Sequence, residues 1–361
     1  MSIATAPPRP SGAGPSTELL SRTNRPLPHW VAYALAAVSL AVALGVRATV
    51  GGGPITTALV LALVFVVAVR AVSRRVEGRR RAADRTVTTV VTAMFLATLL
   101  PLVSVLYTVI SRGLTRFDAE FFTLTMRNVL GEGGGAQHAI VGTLIITGLA
   151  TVISVPLGLL TAIYLVEYGR GRLARAVTFL IDVMTGIPSI VAGLFAYALF
   201  VIIVGPGVRF GIGGAVALSV LMTPVVVRAS EEMLKLVPAE LREASYALGV
   251  PKWRTIVKVV LPVAAAGIGT GITLAIARVI GETAPLLLIV GTTDSLNTDP
   301  TNGRMETLPI YVFYSLTQPG SRPEFSIDRA WTAALVLMLI VLLLNLVARL
   351  IARFFAPKGA R

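Results

Sequence analysis

The chain has no cysteine, so disulfide frameworks, thiolate metal sites and cysteine nucleophiles are excluded together. Histidine is almost as rare: His29 and His138 are the only two, too few for a histidine-rich metal site. No Gly-Lys pair occurs, so there is no Walker A loop to cradle nucleotide phosphates. Charge is scarce too, at 14% of 361 residues, against roughly 25% in an ordinary soluble domain. Apolar residues fill the space instead: 55% of the chain is hydrophobic and the mean hydropathy is +0.81. So little polar surface cannot clothe so large an apolar surplus in water, and the composition is that of an integral membrane protein. The formal charge of +14 does not indicate a nucleic-acid partner, because the basic residues fall between apolar spans, where they act as topology signals.

Residues 1–28 hold six prolines and no apolar core with a cleavage site, which predicts a disordered cytoplasmic tail rather than a signal peptide. Apolar runs then recur at 30–46, 55–69, 87–110, 139–166, 176–204, 211–227, 259–290 and 331–350. A hydrocarbon core about 30 Å thick takes about 20 helical residues, so eight spans are expected. With both termini cytoplasmic, 23 of the 32 Lys and Arg fall on the inner side and 8 on the outer, leaving Arg278 within a span. The opposite orientation would put the seven arginines of 70–85 outside, against the positive-inside rule. The expected organisation is a tail at 1–28, an extra two-span hairpin with a basic connector at 29–86, a six-span transmembrane domain at 87–352 and a cytoplasmic end at 353–361. The hairpin could dock a partner or anchor to lipid, or be a peripheral extension.

Between the sixth and seventh spans the sequence is punctuated. Pro238 suits a first helical turn, Glu240 complements its positive end, Gly249 can take the left-handed stop and Pro251 prevents continuation. Leu241, Ala244, Ser245 and Leu248 share one face of this short helix, with Glu240, Arg242 and Glu243 on its wet side. Such a short helix is marginal alone in water, so packing must hold it.

The spacing Glu243, Ala244, Ser245, then Gly249, then Val259, Leu261 and Pro262 resembles the cytoplasmic signature of ABC-importer permeases, with serine in place of an alanine and valine in place of an isoleucine. That resemblance implies a coupling helix seated in a separate ATPase. The segments 185–193 (Thr-Gly-Ile-Pro-Ser-Ile-Val-Ala-Gly) and 277–286 (Ala-Arg-Val-Ile-Gly-Glu-Thr-Ala-Pro-Leu), with Thr307 to Ile310, are similar to the phosphate branch of the binding-protein-dependent transport system inner membrane component family, PstA type. The resemblance covers roughly 87–350. It implies an all-α polytopic fold and inorganic phosphate as substrate. The implied partners are a second permease (PstC type), a cytoplasmic ATPase dimer (PstB type) carrying ATP and Mg, and an external phosphate-binding protein (PstS type). It also implies residence in the bacterial cytoplasmic membrane. This chain itself is then neither an enzyme nor a cofactor protein. A permease for sulfate, molybdate or an amino acid shares the coupling helix, and a stand-alone secondary transporter would need in-span carboxylates.

Four residues are candidates for the substrate pathway. Arg278 and Glu282 are four apart, which on a continuous helix puts them on one face. An arginine buried that deep costs at least about 2.5 kcal/mol on insertion scales, and its planar fork matches phosphate oxygens. Glu282 could hold that fork, or the two could form a structural ion pair. Thr283 continues the Gly-Glu-Thr element, and Asp182 is the other in-span ionisable residue, a candidate gate or partner for an arginine. Gly267, Gly269 and Gly271 offer a small face for close helix contact.

Overall fold

The apolar runs fold into helices, with no strand among the described residues; the computed structural model describes 27–51 and 53–355. Of the tail expected at 1–28 and the end expected at 353–361, residues 1–26 and 356–361 lie outside the described residues, and 353–355 continue α14. In order the helices are α1 (His29–Val50), α2 (Pro54–Val76), α3 (Arg79–Gly113), α4 (Ala119–Thr123), α5 (Gln137–Ile163), α6 (Gly171–Thr185), α7 (Ser189–Val204), α8 (Gly211–Lys235), α9 (Ala239–Ala247), α10 (Lys252–Thr255), α11 (Leu261–Val279), α12 (Ala284–Ile289), α13 (Leu308–Thr317) and α14 (Pro323–Phe355). Two π-turns interrupt them, Tyr164–Tyr168 after α5 and Ile256–Val260 before α11. The chain divides into two compact units, Met1–Val105 and Leu106–Arg361.

Seven of these helical stretches are long and apolar enough to cross a membrane, and the eighth is a broken pair. The fifth apolar run, expected as one tilted span, is α6 and α7 bent by 110° across Gly186, Ile187 and Pro188. Pro188 denies the helix a donor and pushes Ile187 out of helical geometry, and Pro188 itself becomes the N-cap of α7. The seventh run also differs from the continuous helix expected over 259–290: α11 stops at Val279 and α12 starts at Ala284. Pro285 sits in the first turn of α12, where its missing N–H is harmless but continuation from α11 is not possible. A further apolar helix, α13, stands in the segment expected to be an external connector.

In the second unit α8 is the central element, burying Ala215, Leu218, Met222, Val226 and Leu234 against α5, α7 and α11. Gly267 packs on Met233 and Gly271 on Ala229, so two of the three small positions on α11 serve close contact as expected, and Gly269 faces open space. In the first unit α1 and α2 pack as a hairpin, and Glu77 just beyond α2 forms a buried node. It accepts hydrogen bonds from the Leu27 N–H at 2.6 Å, the Ser73 hydroxyl at 2.6 Å and the Arg85 guanidinium at 2.9 Å.

Candidate functional site

Two of the sequence segments singled out above meet in the structure. Gly193 of α7 lies so close to the backbone of Pro285 that a Cβ there would stand 2.5 Å from Pro285 Cα, a contact no side chain larger than hydrogen permits. The Thr185–Gly193 segment and the Gly-Glu-Thr-Ala-Pro segment are thus two sides of one junction, each carrying its own break in helical backbone. Irregular backbone at membrane depth survives only where protein covers it or where it lines a watery path.

Arg278 sits in the last turn of α11, where the helix dipole favours a cation. Its side chain is exposed and makes no ion pair or hydrogen bond among the described residues. Glu282 falls in the break, its N–H donating to the Val279 carbonyl at 3.1 Å. The i,i+4 relation expected of Arg278 and Glu282 is absent because the helix between them has ended, and the two form no ion pair. Thr283 is the N-cap of α12 and borders, with Gly281, Pro309, Val312 and Leu337, a hollow of about 440 Å³. That hollow is apolar apart from Thr283 and does not include Arg278.

Asp182 is placed elsewhere, on α6, and its partner is Arg228 of α8. Arg228 also binds Glu231 at 2.8 Å, and Glu231 binds Lys235 at 2.7 Å, so Asp182 joins a chain of charges along the C-terminal end of α8. Asp182 is thus held by an arginine of a neighbouring helix. In the sequence Arg228 stands out only as the start of a cytoplasmic segment.

The predicted coupling helix forms as α9, from Ala239 to Ala247 with Pro238 as N-cap. Gly249 ends it at φ 73°, the left-handed region that other residues adopt at a cost. Glu243, Ala244, Leu241 and Leu248 are exposed, whereas Ser245 is buried and shares a hydrogen bond of 2.8 Å with Thr255. The single face expected for Leu241, Ala244, Ser245 and Leu248 therefore splits. Arg242, expected on the wet side, turns inward: it binds Glu167 at 3.0 Å and caps the carbonyls of Val237 and Leu234 at 2.6 and 2.9 Å. Lys252 adds a hydrogen bond to the Glu167 carbonyl and lies over the Tyr168 ring at 4.6 Å. So α9 is bolted to the C-terminal end of α8 and to the π-turn that follows α5, and through Thr255 to the π-turn that leads into Leu261, Pro262 and α11.

At the N-terminal end of α5 lies a feature without any signature in the sequence. His138 Nε2 stands 3.2 Å from Glu306 Oε2, both side chains being nearly inaccessible. Burial pushes the Glu306 carboxyl above the usual carboxylate range, with His138 pulling the other way. The Glu306 backbone packs directly on Gly142 of α5.

Comparison with known proteins agrees with this architecture. The family described as "Binding-protein-dependent transport system inner membrane component" matches residues 154–360. The "Phosphate transport system permease protein PstA 1" of Mycobacterium tuberculosis is 50% identical over 266 residues, covering 72% of this chain and 84% of that protein. The corresponding PstA of Yersinia pestis is 40% identical over 268 residues, covering 74% and 88%. A chain of a bacterial alginate ABC transporter shares the fold at a TM-score of 0.53 and 15% identity, covering 78% of this chain and 100% of its own length.

Proposed function

The chain belongs to the binding-protein-dependent transport system inner membrane component family and is a permease subunit of a phosphate ABC importer, and from that premise we propose that Arg278 is its anion-contacting residue within the membrane. The observation that carries this reading is an exposed guanidinium with no ion pair or hydrogen bond among the described residues, in the last turn of α11 and beside the backbone break before α12. A guanidinium left without a carboxylate there keeps its fork free for phosphate oxygens. Glu282 and Thr283 in the break are close enough in sequence to shape the exit of the anion without holding the arginine. A site that is attractive but not saturated lets the ion leave again, as transport requires.

The chain is a transport subunit and not an enzyme. Hydrolysis would fall to a PstB-type ATPase dimer carrying ATP and Mg, delivery to a PstS-type external phosphate binder, and the other half of the path to a PstC-type permease. Both termini would face the cytoplasm, as the basic connector favours. The exposed Glu243, Ala244, Leu241 and Leu248 would meet the ATPase. Arg242, Glu167, Ser245 and Thr255 would carry its motion through Leu261 and Pro262 into α11, at whose far end Arg278 stands. Asp182 would act as an inner clasp with Arg228.

The test is phosphate uptake and ATP hydrolysis measured together on the assembled importer in vesicles. Arg278→Ala should lower uptake at least about tenfold, the scale of one lost charge-assisted contact of about 1.5–3 kcal/mol, while assembly is preserved. Unchanged uptake would remove Arg278 from the path. Gly249→Val forces a branched residue into a left-handed turn and should leave hydrolysis running while uptake falls; fully coupled uptake would refute the lever.

A further inference from the structure

The first unit contains a groove with a built-in polar end. It has a volume of about 790 Å³ and runs between α1, α2 and the first half of α3. Its walls are apolar, with Leu35, Phe65, Leu96 and Leu100 among them. At one end stand Arg85, Thr88, Thr89 and Thr92. From Arg85 to Val103 the groove follows α3 for about 27 Å of helix, nearly the depth of a hydrocarbon core about 30 Å thick.

The polar end is rigid. Arg85 is fixed by Glu77, its Nε at 2.7 Å and its Nη2 at 2.9 Å, and Glu77 is itself held by Ser73 and by the Leu27 N–H at the entry to α1. Three chain segments are thereby tied at the mouth, and the second terminal nitrogen of Arg85 stays free of the carboxylate. Thr88 and Thr89, both lining the groove, donate their hydroxyls to the carbonyls of Asp84 and Arg85 at 3.1 and 2.7 Å, which leaves their oxygens as acceptors. Around this mouth the stretch 70–85 carries seven arginines against Glu77 and Asp84, a net charge of +5. Arg74, Arg75, Arg79 and Arg80 are exposed and carry no ion pair among the described residues.

We propose that this groove is a binding site for one anionic phospholipid of the inner leaflet, with an acyl chain along Leu35, Phe65 and Leu96 and the phosphate at Arg85 under the arginine-rich connector. The charge decides the occupant: a partner helix would bury the apolar walls equally well but would gain nothing from a net positive rim at headgroup height. Bulk lipid contact would need no fixed guanidinium at the end of an apolar slot. Basic residues at this level attract anionic lipid individually, and the groove converts that diffuse attraction into one defined position. The inference concerns the first unit alone and does not depend on the transported substrate.

The test uses the full chain in vesicles of equal phosphatidylglycerol and phosphatidylethanolamine, extracted gently and weighed intact by native mass spectrometry. One retained lipid is expected, phosphatidylglycerol over phosphatidylethanolamine by about tenfold. Arg79→Gln with Arg80→Gln leaves the Glu77 node and five arginines in place, enough to keep the topology, and should lower that preference about fivefold. Ala93→Phe fills the groove and should abolish the retained lipid. Retention and preference unchanged in both variants would overturn the site. Because the chain lacks cysteine, Ala93→Cys gives it a single thiol for a photo-cross-linker in the assembled importer. Capture of phospholipid supports the proposal, and capture of another polypeptide overturns it.

Discussion

Each of the two units buries a carboxylate outside the spans, and the two are treated in opposite ways. Glu77 loses water but gains hydrogen bonds from Ser73, the Leu27 N–H and Arg85, and these outweigh burial and hold its pKa below the ordinary carboxylate value. Glu306 loses more water and has His138 as its main compensation, so its pKa rises. Burial alone therefore does not set the sign of a shift; the number and charge of the donors do. Glu77 ties three chain segments together, whereas Glu306 is set against His138.

The sharpest way to break the comparison is to move Glu306 bodily. A Cβ on residue 142 would collide with the Glu306 carbonyl oxygen, so Gly142→Val should destabilise the second unit by about 3 kcal/mol through overpacking. The unfolding midpoint in detergent should fall accordingly, and a midpoint equal to wild type would mean α5 and the 306 segment can part freely. Next in size, Glu77→Ala removes the acceptor of several hydrogen bonds but leaves Arg85 able to rehydrate, since 39% of its side chain is already exposed. A loss of about 1–2 kcal/mol is expected. Faster amide hydrogen exchange should appear at Leu27 and the start of α3 and not in α5 or α8; uniform acceleration would show that the node supports more than its own unit.

The smallest effect is the most diagnostic. A carboxylate with a lowered native pKa stabilises the fold above its unfolded pKa and loses that contribution as pH falls through the native value, so Glu77 weakens the fold on acidification. Glu306, with a raised native pKa, stabilises below the ordinary carboxylate value and loses its contribution as pH rises through the native one. Unfolding midpoints recorded between about pH 4 and pH 8 should show Glu77→Gln flattening the acid side and Glu306→Gln flattening the neutral side. Profiles identical to wild type in both variants would erase the distinction.

Much of this molecule can be read from its sequence because much of it is local. Apolar runs and the Pro238 to Pro251 punctuation announce the spans and α9 with its glycine stop, since each depends on neighbours within a few residues. The break at Ile280 to Thr283 is hidden because Gly281 and Thr283 are common within spans, and Pro285 reveals a helix start only once α11 is known to have ended. Arg242 defies its helical pattern for a different reason: its partners are Glu167, 75 residues away, and two main-chain carbonyls, which no periodicity encodes. The Asp182 and Arg228 pair, 46 residues apart, is half visible, with the acid legible as an oddity in a span and the base lost among topology signals. The His138 and Glu306 contact joins distant parts of the second unit and leaves no trace at all.

The π-turn at Ile256–Val260 bears on Arg278 although they are far apart. A π-turn takes in about one residue more than an α-turn, and each residue of an α-helix advances the azimuth by about 100°. Every side chain from Leu261 onward is therefore swung round the α11 axis by roughly that angle from where an uninterrupted helix would aim it. The compass bearing of Arg278 is set about 27 Å away, by a turn that Pro262 keeps open because its ring would collide with the Lys258 carbonyl in a regular helix.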